Sequence, residues 1–258
     1  MESIIFEKKD HVGWITLNRP DQRNALSLEL MNQMQKQLDL ISKDTDIHVV
    51  VIQGNGYAFC TGHNINELVG EKHDIGHYQH IFSTCTKLMQ TLHELPQPVI
   101  AKVHGAALAA GCQLVAACDL AIADTETKFS TPGVKIGLFC STPMVPLSRV
   151  IGQRRALDML FTGRFVSAEE AEKFGLINRV VDPSKLDEET EKYAKDIAKY
   201  SRFTLSFGKK AFYHQINQDE TSAYNHVKKA MAENCLSEDA QEGMKAFLEK
   251  RKPNFKGK

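Results

Sequence analysis

The feature that most constrains this chain is an apolar run that empties into a string of small residues. Val99-Ile100-Ala101-Lys102-Val103 leads straight into His104-Gly105-Ala106-Ala107-Leu108-Ala109-Ala110-Gly111, and an apolar segment continues from there to Asp119. The first part reads as a strand and the last as a helix beginning near Ala110 or Gly111. Between them the side chains are small enough to let another backbone approach closely. A helix starting there also leaves N–H groups unpaired at the positive end of its dipole. Two readings follow: close helix–strand packing, or backbone donors aimed at an oxygen on which negative charge develops. A second stretch of the same kind, Phe59-Cys60-Thr61-Gly62-His63-Asn64-Ile65-Asn66-Glu67-Leu68, follows the apolar run Val49 to Ile52 and is also expected to open a helix.

The rest of the chain alternates in the same way. Ile4-Ile5-Phe6 and Val12 to Leu17 read as strands about a turn at Asp10 to Gly13. Ser27 is placed to cap a helix from Leu28 to about Lys43, with Leu30, Met31, Met34, Leu38 and Ile41 on one face. Ile47 to Ile52 is a buried strand; a variable segment, His73 to His80, precedes a helix to about His93 that Pro96 and Pro98 close off. Leu120 to Ala123 and Lys128 to Ser130 read as strands, Pro143 to Val150 and Arg155 to Phe161 as helices, and Gly175 to Val181 as the last strand-like run. From Leu186 the pattern is helical: first with Ala194, Ile197 and Ala198 on one face, then over Thr204–Gln215, Glu220–Asn234 and Ser237–Lys250. The apolar strands suit a covered sheet, so the class is α/β. The one boundary candidate divides the chain into a mixed core, residues 1–184, and a helical part, residues 185–258.

A formal net charge of zero over 258 residues removes any global field that would draw nucleic acid or an anionic membrane, so neither partner is expected. The apolar run from Val99 to Ala123 is broken by Lys102, His104, Gln113 and Asp119, and reads as core rather than as a membrane span. Cysteines 60, 85, 112, 118, 140 and 235 form no C-x-x-C pair, several lie in apolar segments, and residues 1–10 carry Glu2, Glu7 and Asp10. Reduced thiols and the lack of a signal or transit pattern give the expectation of a cytoplasmic protein. Neither G-x-S-x-G nor H-E-x-x-H occurs, Gly54 to Phe59 is not a dinucleotide fingerprint, and no metal is expected.

The two small-residue stretches, taken with several other motifs in order, resemble the crotonase superfamily, the enoyl-CoA hydratase/isomerase family. The further motifs are Leu17-Asn18-Arg19-Pro20 with Arg23-Asn24-Ala25-Leu26, Phe161-Thr162-Gly163 with Ser167-Ala168-Glu169-Glu170-Ala171, and Gly243 to Arg251. The resemblance runs from Gly13 to the C-terminus. Gly111-Cys112-Gln113-Leu114-Val115, Thr131-Pro132-Gly133-Val134 and Gly137 to Pro143 look most like one subgroup, the third subtype of enoyl-CoA hydratase domain-containing proteins and its bacterial relatives. The resemblance implies a crotonase-like spiral of strand–strand–helix units with a helical C-terminal part that builds trimers, often paired into hexamers. It implies an acyl-CoA ligand of fatty-acid metabolism, with coenzyme A entering as part of the substrate and no separate cofactor.

By position, the resemblance assigns the backbone N–H groups of His63 and Ala110 to an oxyanion hole for a thioester enolate. The His63 side chain is left with three readings: a surface imidazole, a contact to the thioester region, or a general base. Arg23, Ala25, His63, Asn64 and Ile65 fall at positions that line the coenzyme A groove, although Arg23 also reads as a solvated loop arginine. Phe247 and Lys250 fall where relatives reach the coenzyme A of a neighbouring subunit, or else belong to an amphipathic helix with a lysine in its last turn. The departures concern acid–base chemistry. The two glutamates of the family's hydratases correspond to Gln113, which cannot take a proton from water, and Gly133, which has no side chain. The nominal activity is therefore hydration or double-bond isomerisation of an enoyl-CoA without its usual acid–base pair. One rival is a non-catalytic acyl-CoA-binding or regulatory protein. Another is a different enolate reaction or thioester hydrolysis using His63, Cys140 or bound water. On this reading, Gln113→Glu with Gly133→Glu restores the most hydration, unless a positive φ at Gly133 strains the new side chain.

Overall fold

A computed structural model describes residues 2–70 and 74–258, so the start of the variable segment expected from His73 lies outside the described residues. Two sheets and a shell of helices alternate along the chain. The large sheet has the order β1-β2-β3-β4-β6-β9, formed by β1 (Ile4–Lys9), β2 (Val12–Leu17), β3 (Val49–Gly54), β4 (Val99–Val103), β6 (Leu120–Asp124) and β9 (Arg179–Val181). Only the β1–β2 hairpin is antiparallel; every later pairing in this sheet is parallel. The small sheet has the order β5-β7-β8, with β5 (Ala106–Leu108), β7 (Lys128–Ser130) and β8 (Val166–Ser167).

Each turn of the spiral gives one strand to the large sheet, a short stretch to the small layer, and a helix. β4 is followed by β5 and then α3 (Ala110–Ala117); β6 is followed by β7 and then α4 (Met144–Ile151) and α5 (Gln153–Thr162). The earlier turns follow the same rule with single residues. After β2 comes Leu26 and then α1 (Leu28–Ile41); after β3 come Cys60 and His63 and then α2 (Ile75–Glu94). Leu26 bridges His63, and Cys60 bridges Ala107, both in parallel, so the small layer runs from Leu26 to β8. This is a crotonase-like spiral.

Local chemistry accounts for most element ends. Ser27 caps α1 by accepting from the Leu30 N–H (3.2 Å), and the expected apolar face of α1 is the buried one. Gly175 occupies the left-handed C-cap of α6 (Ala168–Phe174), so the strand expected from Gly175 begins only at Arg179. The stretch after His63 does not open a full helix. It makes one 3-10 turn, Ile65–Glu67, with Asn64 accepting from the Asn66 N–H (3.2 Å). Ala106 to Leu108, expected as a turn, is strand β5, because its backbone pairs with both β7 and Cys60.

One cluster of buried side chains fills the space between the large sheet and α1 to α6. A second, centred on Val49, Val51, Ile100 and Ile122, is closed by Leu186, Ala194 and Ala198 of α7 (Leu186–Ala198). Beyond α7 lie α8 (Arg202–Gln215), α9 (Glu220–Cys235) and α10 (Glu238–Leu248). Phe247 and Leu248 at the end of α10 are 82% and 80% exposed, an apolar face that the chain itself leaves uncovered. Among the described residues, no helix is long and apolar enough to cross a membrane.

Candidate active site

The small layer brings the two small-residue stretches together. Cys60 N–H donates to the Ala106 carbonyl (3.1 Å) and Leu108 N–H to the Cys60 carbonyl (2.9 Å). Further along, Leu26 N–H donates to the Gly62 carbonyl (2.7 Å) and Asn64 N–H to the Leu26 carbonyl (3.1 Å). In such a parallel bridge the partner spans the two flanking residues, so the N–H of His63 itself faces the other way. Among the described residues it has no hydrogen-bond partner. The N–H of Ala110, in the first turn of α3, is an orphan by position and also has none.

Two glycines set how close these donors come. A Cβ on Gly62 would lie 3.0 Å from the Ala109 Cβ and 3.6 Å from the Ala110 nitrogen. A Cβ on Gly111 would lie 2.0 Å from the Cys60 carbonyl oxygen, so any larger residue there pushes α3 away from the Cys60 segment. Ala109 joins β5 to α3 with φ 48° and ψ −115°, a conformation that costs a residue with a Cβ about 1–3 kcal/mol. Its N–H donates to the Ser130 carbonyl (2.9 Å) and its carbonyl accepts from the Gln113 N–H (3.0 Å), which hold the strained turn in place.

The side chains around this turn are unusual in having polar atoms that are buried and unpaired. Among the described residues, both ring nitrogens of His63, Gln113 Oε1 and Thr131 Oγ1 have no hydrogen-bond partner. The surface-imidazole reading of His63 therefore falls. Its ring lies edge-on to Phe82 of α2, with centroids 5.3 Å apart, and burial pushes its pKa down to about 4, opposed in part by the Leu26 backbone. A neutral imidazole follows at pH 7. Cys140 is buried and its thiol pKa is raised by burial, with the Gly133 backbone opposing. A thiolate–imidazolium pair is disfavoured on both sides, and no hydrogen bond joins the His63 ring to Cys140 among the described residues.

Gly133 sits in the 3-10 turn Pro132–Ile136, and its φ is not in the left-handed region. The expected obstacle to glutamate there is replaced by another. A Cβ on Gly133 would lie 2.4 Å from the Leu138 carbonyl oxygen and 2.8 Å from Cys140 Sγ. The segment after Gly133 folds back over it, Leu138 N–H donating to the Gly133 carbonyl (2.9 Å), and fills the space a side chain would need.

The residues assigned to the coenzyme A groove lie along one edge of the small layer. Thr61 N–H donates to the Arg23 carbonyl (3.2 Å), next to the Leu26 bonds that hold Gly62 and Asn64, which places Ala25 between the two strands of contact. Arg23 is exposed in a left-handed conformation (φ 53°), with its Nε donating to the Tyr57 hydroxyl (3.2 Å), and Ile65 is also exposed. Phe247 and Lys250 are not brought to this edge; they lie at the exposed end of α10.

Two anchors had no sequence signal. Asn24 is fully buried: its Nδ2 donates to the Asn55 and Ala58 carbonyls (2.9 and 2.8 Å) and its Oδ1 accepts from the Arg19 N–H (2.9 Å), fixing the loop that carries Arg23 and Ala25. Asp119, just beyond α3, accepts from Lys209 Nζ (2.7 Å), the Val99 N–H (2.7 Å) and the Tyr213 hydroxyl (2.8 Å). Burial lowers the Lys209 pKa against the pull of Asp119, and raises that of Tyr213. Asp119 and Lys209 are 90 residues apart, and only the tertiary fold unites them. From Gln113 to this anchor runs a cavity of about 710 Å³ between α2, α3, α4 and α8.

Comparison with known proteins agrees with the fold. The enoyl-CoA hydratase/isomerase family profile matches residues 7–258. Human enoyl-CoA hydratase domain-containing protein 3, a mitochondrial protein, is 45% identical over 95% of this chain and 80% of its own length. Its Xenopus laevis counterpart, also mitochondrial, is 43% identical over 96% of this chain and 84% of its own. These relatives overturn the cytoplasmic expectation, which rested on composition and thiol placement, features that a mitochondrial protein can share. Among solved structures, an enoyl-CoA hydratase from Mycobacterium smegmatis superposes with a TM-score of 0.96 at 42% identity, covering 99% of both chains. The human domain-containing protein 3 superposes with a TM-score of 0.96 at 43% identity, covering 98% of this chain and 100% of its own. The chain belongs to the enoyl-CoA hydratase/isomerase family.

Proposed function

We propose that this protein binds an acyl-CoA thioester with its carbonyl oxygen between the backbone N–H groups of His63 and Ala110, and that it stabilises the thioester enolate there. The observation that carries the reading is the pair of unpartnered donors on adjoining turns. Two fixed donors in a partly dry site favour charge developing on the oxygen more than the neutral carbonyl, and losing one typically costs about 2.7–4 kcal/mol. Arg23, Ala25, Asn64 and Ile65 form the groove edge for the coenzyme A. Phe247 and Lys250 complete it from a neighbouring subunit in a trimer or a dimer of trimers. The reaction that fits is proton transfer at the α-carbon or a weak addition of water. Gln113 and Gly133 supply no carboxylate, and this favours a second reading, acyl-CoA binding without turnover. The test is calorimetry with a coenzyme A enolate mimic. His63→Ala keeps the donor and binds like wild type; His63→Pro removes it and binds about 10²-fold or more weakly. A folded Pro variant that binds as tightly as the Ala variant places the oxyanion elsewhere.

A further inference from the structure

The cavity beside Gln113 has an apolar body and a cationic far end. α2, α3 and α4 each give it one helical face, with Met89 and His93 from α2, Gln113 from α3, and Val145 and Arg149 from α4, and Thr142 joins from the turn before α4. Thr142 lies toward the Gln113 end, two residues from Cys140, which is within electrostatic reach of Cys112, the neighbour of Gln113. The His93 ring stacks on Tyr213, centroids 4.3 Å apart, Tyr213 donates to Asp119 (2.8 Å), and Arg149 lies within electrostatic reach of His93, so these groups share the other end. Two turn residues and then five helical steps, from Met144 to Arg149, separate Thr142 from Arg149, a path of about 10 Å. At about 1.2 Å per bond along an extended chain, that length suits an acyl group of about six to eight carbons.

The charge at the far end is unbalanced. Asp119 has both carboxylate oxygens engaged by Lys209, the Val99 N–H and the Tyr213 hydroxyl, so the Asp119–Lys209 pair is neutral as a unit. Arg149 makes no ion pair among the described residues, and its one hydrogen bond is from Nη1 to the Val145 carbonyl of its own helix (2.9 Å). Arg149 is exposed at the mouth of this end, its other guanidinium N–H groups remain available, and a planar guanidinium matches a carboxylate better than any other anion-binding side chain does. A simple fatty tail would leave this end of the cavity unmatched.

Resting on the acyl-CoA reading above, we infer that the acyl group carries a carboxylate at its distal end, held by Arg149 at the far end of the cavity: a medium-chain dicarboxylic acid linked to coenzyme A through one carboxyl group. Arg149 is then a specificity-determining residue, remote from the thioester.

The test is calorimetry with matched pairs, adipyl-CoA against hexanoyl-CoA and suberyl-CoA against octanoyl-CoA. The ω-carboxylated member of each pair binds about tenfold more tightly, the scale of one charge-assisted hydrogen bond in a half-open site. Arg149→Gln removes the preference and leaves the affinity for hexanoyl-CoA unchanged. Arg149→Lys, which keeps the charge and loses the fork, retains part of it. Equal affinities within each pair for wild type, or a preference that survives Arg149→Gln, overturn the inference and leave the acyl-CoA reading standing. No binding of any of the four thioesters, or of butyryl-CoA, overturns both.

Discussion

At the C-terminal end of α3, Asp119 has three donors on its two oxygens, drawn from β4 and α8. At the N-terminal end, the nitrogens of His63, the amide oxygen of Gln113 and the hydroxyl of Thr131 are buried and have none among the described residues, against a single such atom, Gln97 Oε1, beside the Asp119–Lys209 pair. A buried polar group without a partner costs about 1–3 kcal/mol, so a chain does not accumulate such groups in one place without a use for them. The satisfied end holds the fold. On the proposed function, the unsatisfied end, next to two free backbone donors and a strained Ala109, is where a ligand completes the hydrogen bonding. The contrast then separates polar residues that stabilise the protein from those proposed to recognise a ligand, and it can be tested from either side.

The largest effect is expected at the satisfied end. Lys209→Met leaves the Asp119 carboxylate without its ammonium partner in a site where the two side chains are only 15% and 7% exposed. Breaking a buried pair from one side costs about 3–5 kcal/mol. Urea unfolding should show a loss of that size, and Lys209→Met with Asp119→Asn should recover part of it. A loss under 1 kcal/mol would mean that water reaches Asp119 and that the two ends differ less than their hydrogen bonds indicate.

The next concerns chemistry at the unsatisfied end. Hydration of crotonyl-CoA by the wild type is expected to run at least about 10²-fold below that of relatives with both glutamates, since a general acid–base group contributes about 10²–10⁴-fold. The losses are not multiplied, because the two groups share one water and act as a unit. Gln113→Glu with Gly133→Glu is not expected to restore it. The new Cβ at 133 meets the Leu138 carbonyl oxygen, a backbone atom that cannot swing aside. Loss of the enoyl-thioester absorbance measures both. Fast wild-type turnover would show that another group serves as base.

Acid should then weaken the fold through His63. Burial holds its folded pKa near 4, while the unfolded chain titrates near 6.5. Between these values the unfolded state takes up a proton that the folded state refuses, so stability is lost as pH falls through the window. From pH 7 to pH 5 the loss attributable to His63 is about 2 kcal/mol. His63→Phe should abolish that part, read as the difference between the two proteins' urea midpoints at the two pH values. Parallel losses would mean that the imidazole is solvated.

How legible these two ends were in the sequence differs for a physical reason. The Gly62 and Gly111 turns announce themselves locally, because a close backbone approach demands small residues in consecutive positions. Ser27 and the apolar face of α1 are equally local. The Asp119 anchor is not, since a lysine within an ordinary amphipathic helix looks the same whether it faces water or an aspartate 90 residues away. The burial of His63 was hidden too, because the Phe82 that covers it comes from the next helix. The crowding of Gly133 depends on where Leu138 returns, and only the folded segment determines that.

The smallest effect sharpens the contrast most. Gln113 is 3% exposed, and its Oε1 accepts nothing. If the glutamine served the fold, replacing it with leucine of similar volume would lose a hydrogen bond and destabilise the protein. Because the oxygen is unpaired, Gln113→Leu instead removes a desolvated acceptor and puts an apolar group among Ala116, Ala117 and Met89 on the cavity wall. The expected result is a gain of about 1 kcal/mol, read as a melting temperature raised by about 2–4 °C in a chain of this size. Ligand binding should move the other way, since a bound thioester or its water loses the unpaired Gln113 acceptor. A variant that is both less stable and unchanged in acyl-CoA binding would assign Gln113 to the fold, and the N-terminal end of α3 would then have to be read as structure, like the C-terminal one.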